Sequence, residues 1–301
     1  MKEPIQNALT IDVEDYFQVA ALAEAVRYDD WSSMEYRVEA NTDRILALFE
    51  RAGVKATFFT LGWVAERSPE LVKRIAAQGH EVASHGYSHQ LIYNQTPDVF
   101  KEETRRSKVI LEDILGAPVT GYRAASYSIT NQSRWALDIL AEQGFTWDSS
   151  IFPVHHDRYG MPGTPRWPHR LTTDKGYELA EFPLSTFKLP GYTLPIAGGG
   201  YFRLFPYWFS RFGLGSINRQ GKPFVFYLHP WEVDPEQPKF EVKWFSKFRH
   251  YNNLDVCEQR LARLLEHFEF TTMGQVLKQQ GLLKNDFSTL INLNPKLPPD
   301  Y

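Results

Sequence analysis

Cysteine is almost absent: Cys257 stands alone in a chain of 301 residues. No intrachain disulfide is possible, and a cysteine-based zinc site is excluded. Cys257 falls in a helical apolar stripe with Leu261, Leu264, Leu265 and Phe268, so it is expected in a core and not as a reactive thiol. Long apolar runs are missing too. Nothing reaches the roughly 18 residues a membrane span needs, and the N-terminal Met1-Lys2-Glu3-Pro4 has no apolar segment behind it. The expectation is a soluble, cytoplasmic protein with no transmembrane segment. Neither sign of charge dominates: 33 Lys and Arg against 36 Asp and Glu leave a net charge of -3. By composition there is no basic face, and nucleic acid is a poor partner. Gly198-Gly199-Gly200 is followed by neither Lys-Ser/Thr nor a dinucleotide-type spacing, so it does not read as a phosphate loop. No internal repeat and no low-complexity tract occurs.

What is present is ordinary for a globular chain, with 43% apolar residues and a high aromatic share of 15%. The aromatics suit a broad cleft such as a sugar site, although aromatics fill cores more often than clefts. Short apolar runs alternate with helical patterns. Ala8-Leu9-Thr10-Ile11 reads as a strand, Asn41 as the cap of a helix stopped by Gly53, and residues 54–60 as a buried strand. Ser68-Pro69 and Thr96-Pro97 open two further helices, Pro being tolerated in a first turn. Strands are expected at 80–83, 119–122, 145–147, 178–182, 223–228 and 268–271, with helices around 135–140, 255–267 and 274–280. Between about Phe152 and Tyr207 the alternation breaks down, which reads as long functional loops. Asp12, His85, Arg123, Asp148 and His229 each fall just past or at the C-terminal end of an expected strand. In a barrel those ends meet at one mouth. The expected fold is therefore α/β, a distorted (β/α) barrel in a single domain, with an open doubly wound sheet as the alternative.

Two imidazoles four residues apart, His85 and His89, follow the run Glu81-Val82-Ala83. On a helical turn they would share a face and reach one ion, with a carboxylate from elsewhere completing the site. Asp12-Val13-Glu14-Asp15 supplies three carboxylates at one strand end, a cluster that repels itself unless something positive sits within it.

The order of these segments resembles the polysaccharide deacetylases of carbohydrate esterase family 4, the NodB-homology group. The resemblance is carried by Thr10-Ile11-Asp12-Val13-Glu14-Asp15, His85 to His89, Arg123-Ala124-Ala125-Ser126-Tyr127, Trp147-Asp148-Ser149-Ser150 and Leu228-His229. It implies a seven-stranded, TIM-like distorted barrel and one divalent metal, zinc foremost with cobalt or nickel as alternatives. The activity it implies is removal of acetyl groups from N-acetylated oligo- or polysaccharides. Thr10 to Gln18, His229-Pro230-Trp231-Glu232 and the segment from Phe248 to Phe270 look like an exopolysaccharide-associated branch linked to the exosortase system. The whole chain, 1–301, then forms one deacetylase domain, with 230–301 as a family-specific extension. Carried over by residue, the metal ligands are His85, His89 and Glu14, with Asp15 the alternative carboxylate. Asp12 is the base, held by Arg123, and His229 the acid, its tautomer fixed by Asp148. A backbone N–H near Tyr127 serves the oxyanion. Trp231, with Trp167, Tyr192, Tyr201 and Phe202, is placed for stacking on sugars or for packing under loops. An allantoinase-like amide hydrolase and an inactive carbohydrate-binding protein are the competing readings.

Overall fold

The computed structural model of the chain describes residues 4–156 and 159–283; the end of the expected extension, 284–301, lies outside the described residues. Its strands are β1 (Gln6–Val13), β2 (Thr57–Thr60), β3 (Glu81–Ser84), β4 (Gly121–Tyr122), β5 (Trp147–Asp148), β6 (His169–Thr172), β7 (Glu178–Glu181), β8 (Thr186–Leu189), β9 (Tyr192–Pro195), β10 (Val225–Leu228) and β11 (Glu269–Thr271). One sheet runs β10-β1-β2-β3-β4-β5-β7-β6, with β11 paired beside β1. Every pairing in it is parallel except β6 with β7. β1 is buried along nearly its whole length, as a parallel strand covered on both faces must be.

The sheet curls into a half-barrel wrapped by helices, the distorted (β/α) barrel expected from the sequence, but with nine strands among the described residues where the resemblance implied seven. Between the β5–β7 edge and β10 the wall is irregular. Phe182 and Leu184 donate their N–H groups to Asp148 and Ile151 at 3.0 and 2.9 Å, while Tyr227 N–H reaches the Ala197 carbonyl at 2.8 Å. The flanks of the β8–β9 hairpin thus carry backbone bonding across the gap. Gly198, at φ 134°, allows this approach, since a Cβ there would sit 2.0 Å from the Tyr227 carbonyl oxygen. Gly121 is needed for a different reason: the Trp147 indole occupies the space a Cβ would take. Among the described residues no helix is long and apolar enough to cross a membrane.

Two expectations from the sequence need correction. Asn41 does not cap a helix. The helix begins earlier, at Val38, and Asn41 is buried within it, its amide 3.0 Å from Asp234. The capping is done at a distance by Asp15, whose carboxylate accepts the N–H groups of Arg37 and Val38 at 2.7 and 2.8 Å. The stretch 152–207 is loop over more than half its length, but regular elements interrupt the loops. It contains β6 to β9 and the helix Gly199–Leu204. The helix Tyr207–Arg219 also escaped notice, because glycines interrupt it and aromatic residues lie on several of its faces, masking a 3.6-residue period.

Candidate metal centre and active site

The strand order brings distant residues to one mouth. Asp12 lies near the end of β1 with Glu14 just beyond it, His85 follows β3, Arg123 follows β4, Asp148 ends β5, and His229 follows β10. Glu14, His85 and His89 each offer one ligand atom, and these atoms lie within 4.8 Å of one another. The two histidines do not share a helical turn. They sit in an irregular loop, and His89 adopts φ 53°, a left-handed conformation that costs a non-glycine residue energy and swings its ring back toward His85. The ring centroids end 5.3 Å apart.

Each donor is set by a neighbour. His85 Nδ1 lies 2.8 Å from the Arg123 carbonyl, so Nδ1–H donates there and Nε2 is left as the free lone pair. Burial pushes its pKa down to about 4, so the ring is a neutral ligand at physiological pH. Burial opposes ionisation of Glu14, but His89, His229 and His85 outweigh it and hold the carboxyl well below the usual range. Glu14 Oε1 accepts the Trp231 indole N–H at 3.2 Å. Its Oε2 lies 2.7 Å from His89 Nε2 but out of hydrogen-bond alignment, leaving a buried carboxylate oxygen with no donor. A buried orphan oxygen facing two imidazoles suits a divalent cation, and a carboxylate with two imidazoles is a donor set such an ion takes. Asp15 is not available for this role, since its oxygens are spent on the N–H groups of Tyr16, Arg37 and Val38.

Asp12 is held from the other side. The fully buried guanidinium of Arg123 donates to Asp12 Oδ1 at 2.6 Å and to Thr10 Oγ1 at 2.8 Å, and its remaining N–H groups reach Ser149. The Tyr127 hydroxyl lies 3.4 Å from Asp12 Oδ2. Of the backbone N–H groups near Tyr127, where an oxyanion donor is expected, that of Tyr127 itself is bonded to the Ala124 carbonyl at 3.1 Å.

His229 Nε2 points at both carboxylates, 3.6 Å from Glu14 and 4.0 Å from Asp12. Burial disfavours its charge, yet Glu14, Glu232 and Asp12 together raise its pKa to about 9. The group on Nδ1 is not Asp148, as expected from the sequence, but Glu232 at 2.7 Å. Asp148 ends β5, far around the sheet from β10, and bonds Ser150 through Oγ at 2.6 Å and N–H at 3.0 Å. Ser150 Oγ in turn accepts the Ala124 N–H. Asp148 therefore braces the loop that carries Arg123. Burial raises the pKa of both Asp148 and its neighbour Glu181, well above the usual range for Glu181.

Glu232 and Arg203 were not anticipated as part of the site. Glu232 is fully buried, with Arg203 Nε on Oε2 at 2.5 Å, and Arg203 also donates to the carbonyls of Arg249, His250 and Asn252. The i,i+3 spacing of His229 and Glu232 is the signal that could have found the first of them. Trp231 is also placed differently. Its indole is 5% exposed, stacked with the rings of His229 and His250 and part of the cavity lining, so it supports the site from within and leaves little ring face for a sugar. Of the other aromatics expected near substrate, Tyr201 lines the cavity over the site. Phe202 is in the core, Trp167 packs under Arg166, and Tyr192 projects from the β8–β9 hairpin. The cavity measures about 240 Å³, with the carboxylates and imidazoles as its floor and Val19, Leu91, Leu204, Phe245 and Phe248 in its walls.

Comparison with known proteins places this geometry. Residues 25–146 match the family model for polysaccharide deacetylase, and residues 149–278 match a model described as a domain of unknown function (DUF3473). The first match contains His85, His89 and Arg123, the second Arg203, His229 and Glu232; Asp12, Glu14 and Asp148 fall outside both. A peptidoglycan deacetylase of Helicobacter pylori is 32% identical over 129 residues, 43% of this chain and 42% of that one. A peptidoglycan-N-acetylglucosamine deacetylase of Bacillus cereus is 34% identical over 115 residues, 38% of this chain and 40% of that one. The chain thus spans about two fifths of the length of these curated relatives. A crystal structure described as a polysaccharide deacetylase from Mycobacterium smegmatis superposes with a TM-score of 0.58 at 18% identity, covering 98% of both chains, and shares the fold.

Proposed function

We propose that this chain, whose residues 25–146 match the family model for polysaccharide deacetylase, is a metal-dependent N-deacetylase acting on N-acetylated sugars of a bacterial exopolysaccharide or its precursor. The observation that carries this reading is the convergence of Glu14, His85 and His89, within 4.8 Å, between Asp12 and His229. Glu14, His85 and His89 would hold one divalent cation, zinc foremost and cobalt or nickel as substitutes, which when bound polarises an amide carbonyl and acidifies water.

The protein's own groups divide the proton work. Asp12, tied by Oδ1 to Arg123, has only the long 3.4 Å contact of the Tyr127 hydroxyl on Oδ2 and takes a proton there as general base. His229 carries the proton an amine needs in order to leave, and Glu232 on Nδ1 keeps Nε2 facing the site. Tyr127 closes the cavity beside Asp12 with its hydroxyl. The exopolysaccharide substrate is supported by the segments Thr10 to Gln18 and His229 to Glu232, which resemble the exopolysaccharide-associated branch. Glu14 of the first segment and His229, Trp231 and Glu232 of the second lie at the site.

The test is acetate release from N-acetylglucosamine oligomers and polymers by protein loaded with each metal and by chelator-treated protein. Acetate that depends on metal supports the reading. Ammonia or a ureido product would point to the allantoinase-like alternative. Stoichiometric metal without acetate release would count against the reading, and neither metal nor product would leave an inactive carbohydrate-binding protein.

A further inference from the structure

The net charge of -3 conceals an uneven distribution. From Phe182 to Trp231 the chain contains no Asp or Glu, but carries Lys188, Arg203, Arg211, Arg219 and Lys222. Arg203 is buried on Glu232. Arg211 and Arg219 lie with Arg263 along a groove of about 700 Å³ between the helix Tyr207–Arg219 and the end of the helix Cys257–His267. No carboxylate is among the described residues lining it, and none of the three arginines forms an ion pair with a described residue. Arg263 lies over the Tyr207 ring at 4.5 Å and Arg219 over Phe212 at 5.4 Å.

Trp208, Arg211, Phe212, Gly215 and Arg219 recur at helical spacing, so they share one face, while Ser210, Gly213, Leu214 and Ile217 bury the other. The outer face keeps its large rings in solvent: Trp208 is 68% and Phe212 52% exposed. Single exposed apolar side chains are normal on any protein. Two protruding aromatics interleaved with three arginines, and no acid, are not a random sample of this chain, in which acids outnumber bases. That combination is what an interfacial helix requires, with rings at headgroup depth and guanidinium groups on phosphate oxygens.

We propose that the outer face of the helix Tyr207–Arg219, with Arg263, docks on an anionic phospholipid surface. Trp208 and Phe212 enter the headgroup layer, and Arg211, Arg219 and Arg263 bind lipid phosphates. The face lies outside the metal-binding cavity, so the proposal stands whether or not the deacetylase reading holds.

Flotation of the full chain with phosphatidylcholine vesicles, with and without about one third phosphatidylglycerol, tests it. Binding is expected to the anionic vesicles and to weaken at high salt. Arg211→Gln with Arg219→Gln should lower the partition coefficient at least about tenfold, in line with the contribution of each cation at an anionic surface. Trp208→Ala with Phe212→Ala should lower it several-fold and leave the salt dependence in place. Arg105→Gln, on the exposed helix Pro97–Leu115, should leave it unchanged. All four positions changed on the docking helix are on its outer face, and near-ultraviolet circular dichroism checks that the variants remain folded. Absence of binding to anionic vesicles, or binding that these variants do not reduce, overturns the proposal. Retention on a soluble acidic polysaccharide without vesicle binding overturns it as well, by assigning the face to a saccharide.

Discussion

Two buried arginines serve the two ends of the site by different routes. Arg123 binds the candidate base, Asp12, directly and is assembled from strand ends: β4 positions it, β1 supplies Thr10 and Asp12, and the end of β5 supplies Ser149. Arg203 never reaches the candidate acid. It binds Glu232, which binds His229, and its other partners are carbonyls at the end of the helix Trp244–Tyr251. The first route lies in the barrel proper, while the second is built by irregular segments within residues 149–278. Both groups stand at strand ends, but the base is held by other strand ends and the acid is oriented by the turns and helix ends behind it.

The largest expected effect tests the barrel side. Asp12→Asn keeps the shape and the Arg123 contact but removes the proton acceptor, and should lower kcat by about 10²–10⁴-fold, the range for a general base. Metal binding, measured by stoichiometry after gel filtration, should survive, because Glu14, His85 and His89 are untouched. Loss of the metal together with activity would mean that Asp12 is itself a ligand.

The arginines come next. Replacing either by Met strands a buried carboxylate, and each should cost about 3–5 kcal/mol of stability in denaturant unfolding, the usual penalty for breaking a buried pair. The two should differ in where the damage appears. Arg203→Met should expose the backbone amides of Trp244–Tyr251 to hydrogen exchange, since it frees the carbonyls that anchor that helix. Arg123→Met should leave them protected. Equal exchange in both variants would erase the distinction between the two routes.

Smaller is the effect of Glu232→Gln, which keeps a partner for His229 Nδ1 but removes the charge. A loss of about 10–100-fold in kcat/KM is expected, as for other residues that orient a functional histidine from behind, with Glu232→Asp recovering part of it. Asp148→Asn should cost stability through the Ser150–Ala124 bracing and less activity than Glu232→Gln. If the order is reversed, the partner of His229 in the working enzyme is Asp148 after all.

The same contrast explains what could be read from the sequence. Asp12, His85, Arg123, Asp148 and His229 were legible because apolar runs reveal where strands end, and a parallel barrel gathers those ends. The ranking of Glu14 over Asp15 needed the structure, although Asp15 and Gln18 have the spacing of a capping box and do form one. The role of Asp148 was misassigned because a sequence gives order along the chain but not distance around a sheet. Arg203 and His250 were illegible for a plainer reason. They sit on single turns and helix ends, where no periodicity announces which way a side chain points.

The smallest effect compares one buried histidine from each region. His80, within the barrel, accepts the Ala56 N–H on Nδ1 at 3.1 Å between the rings of Phe49 and Phe58. Burial, helped by Lys55, pushes its pKa down to about 4. His250 stacks on Trp231 with Nε2 2.7 Å from Gln237, and burial with Arg203 pushes it down to about 3. Both are neutral when folded and titrate near 6.5 when unfolded, so below that pH the unfolded chain binds protons that the folded chain does not. Their contribution is fully present above pH 6.5 and is lost as pH falls, at about 1.4 kcal/mol per unit for each histidine. The loss should stop near pH 4 for His80 and continue toward pH 3 for His250. Urea unfolding between pH 7 and 4 should therefore show a slope that either His80→Gln or His250→Gln reduces by the same amount, whatever each does to stability at pH 7. A slope unchanged in His250→Gln would mean that its ring escapes the Trp231 stack and takes up a proton in the folded chain, and that the second region is looser than the barrel it completes.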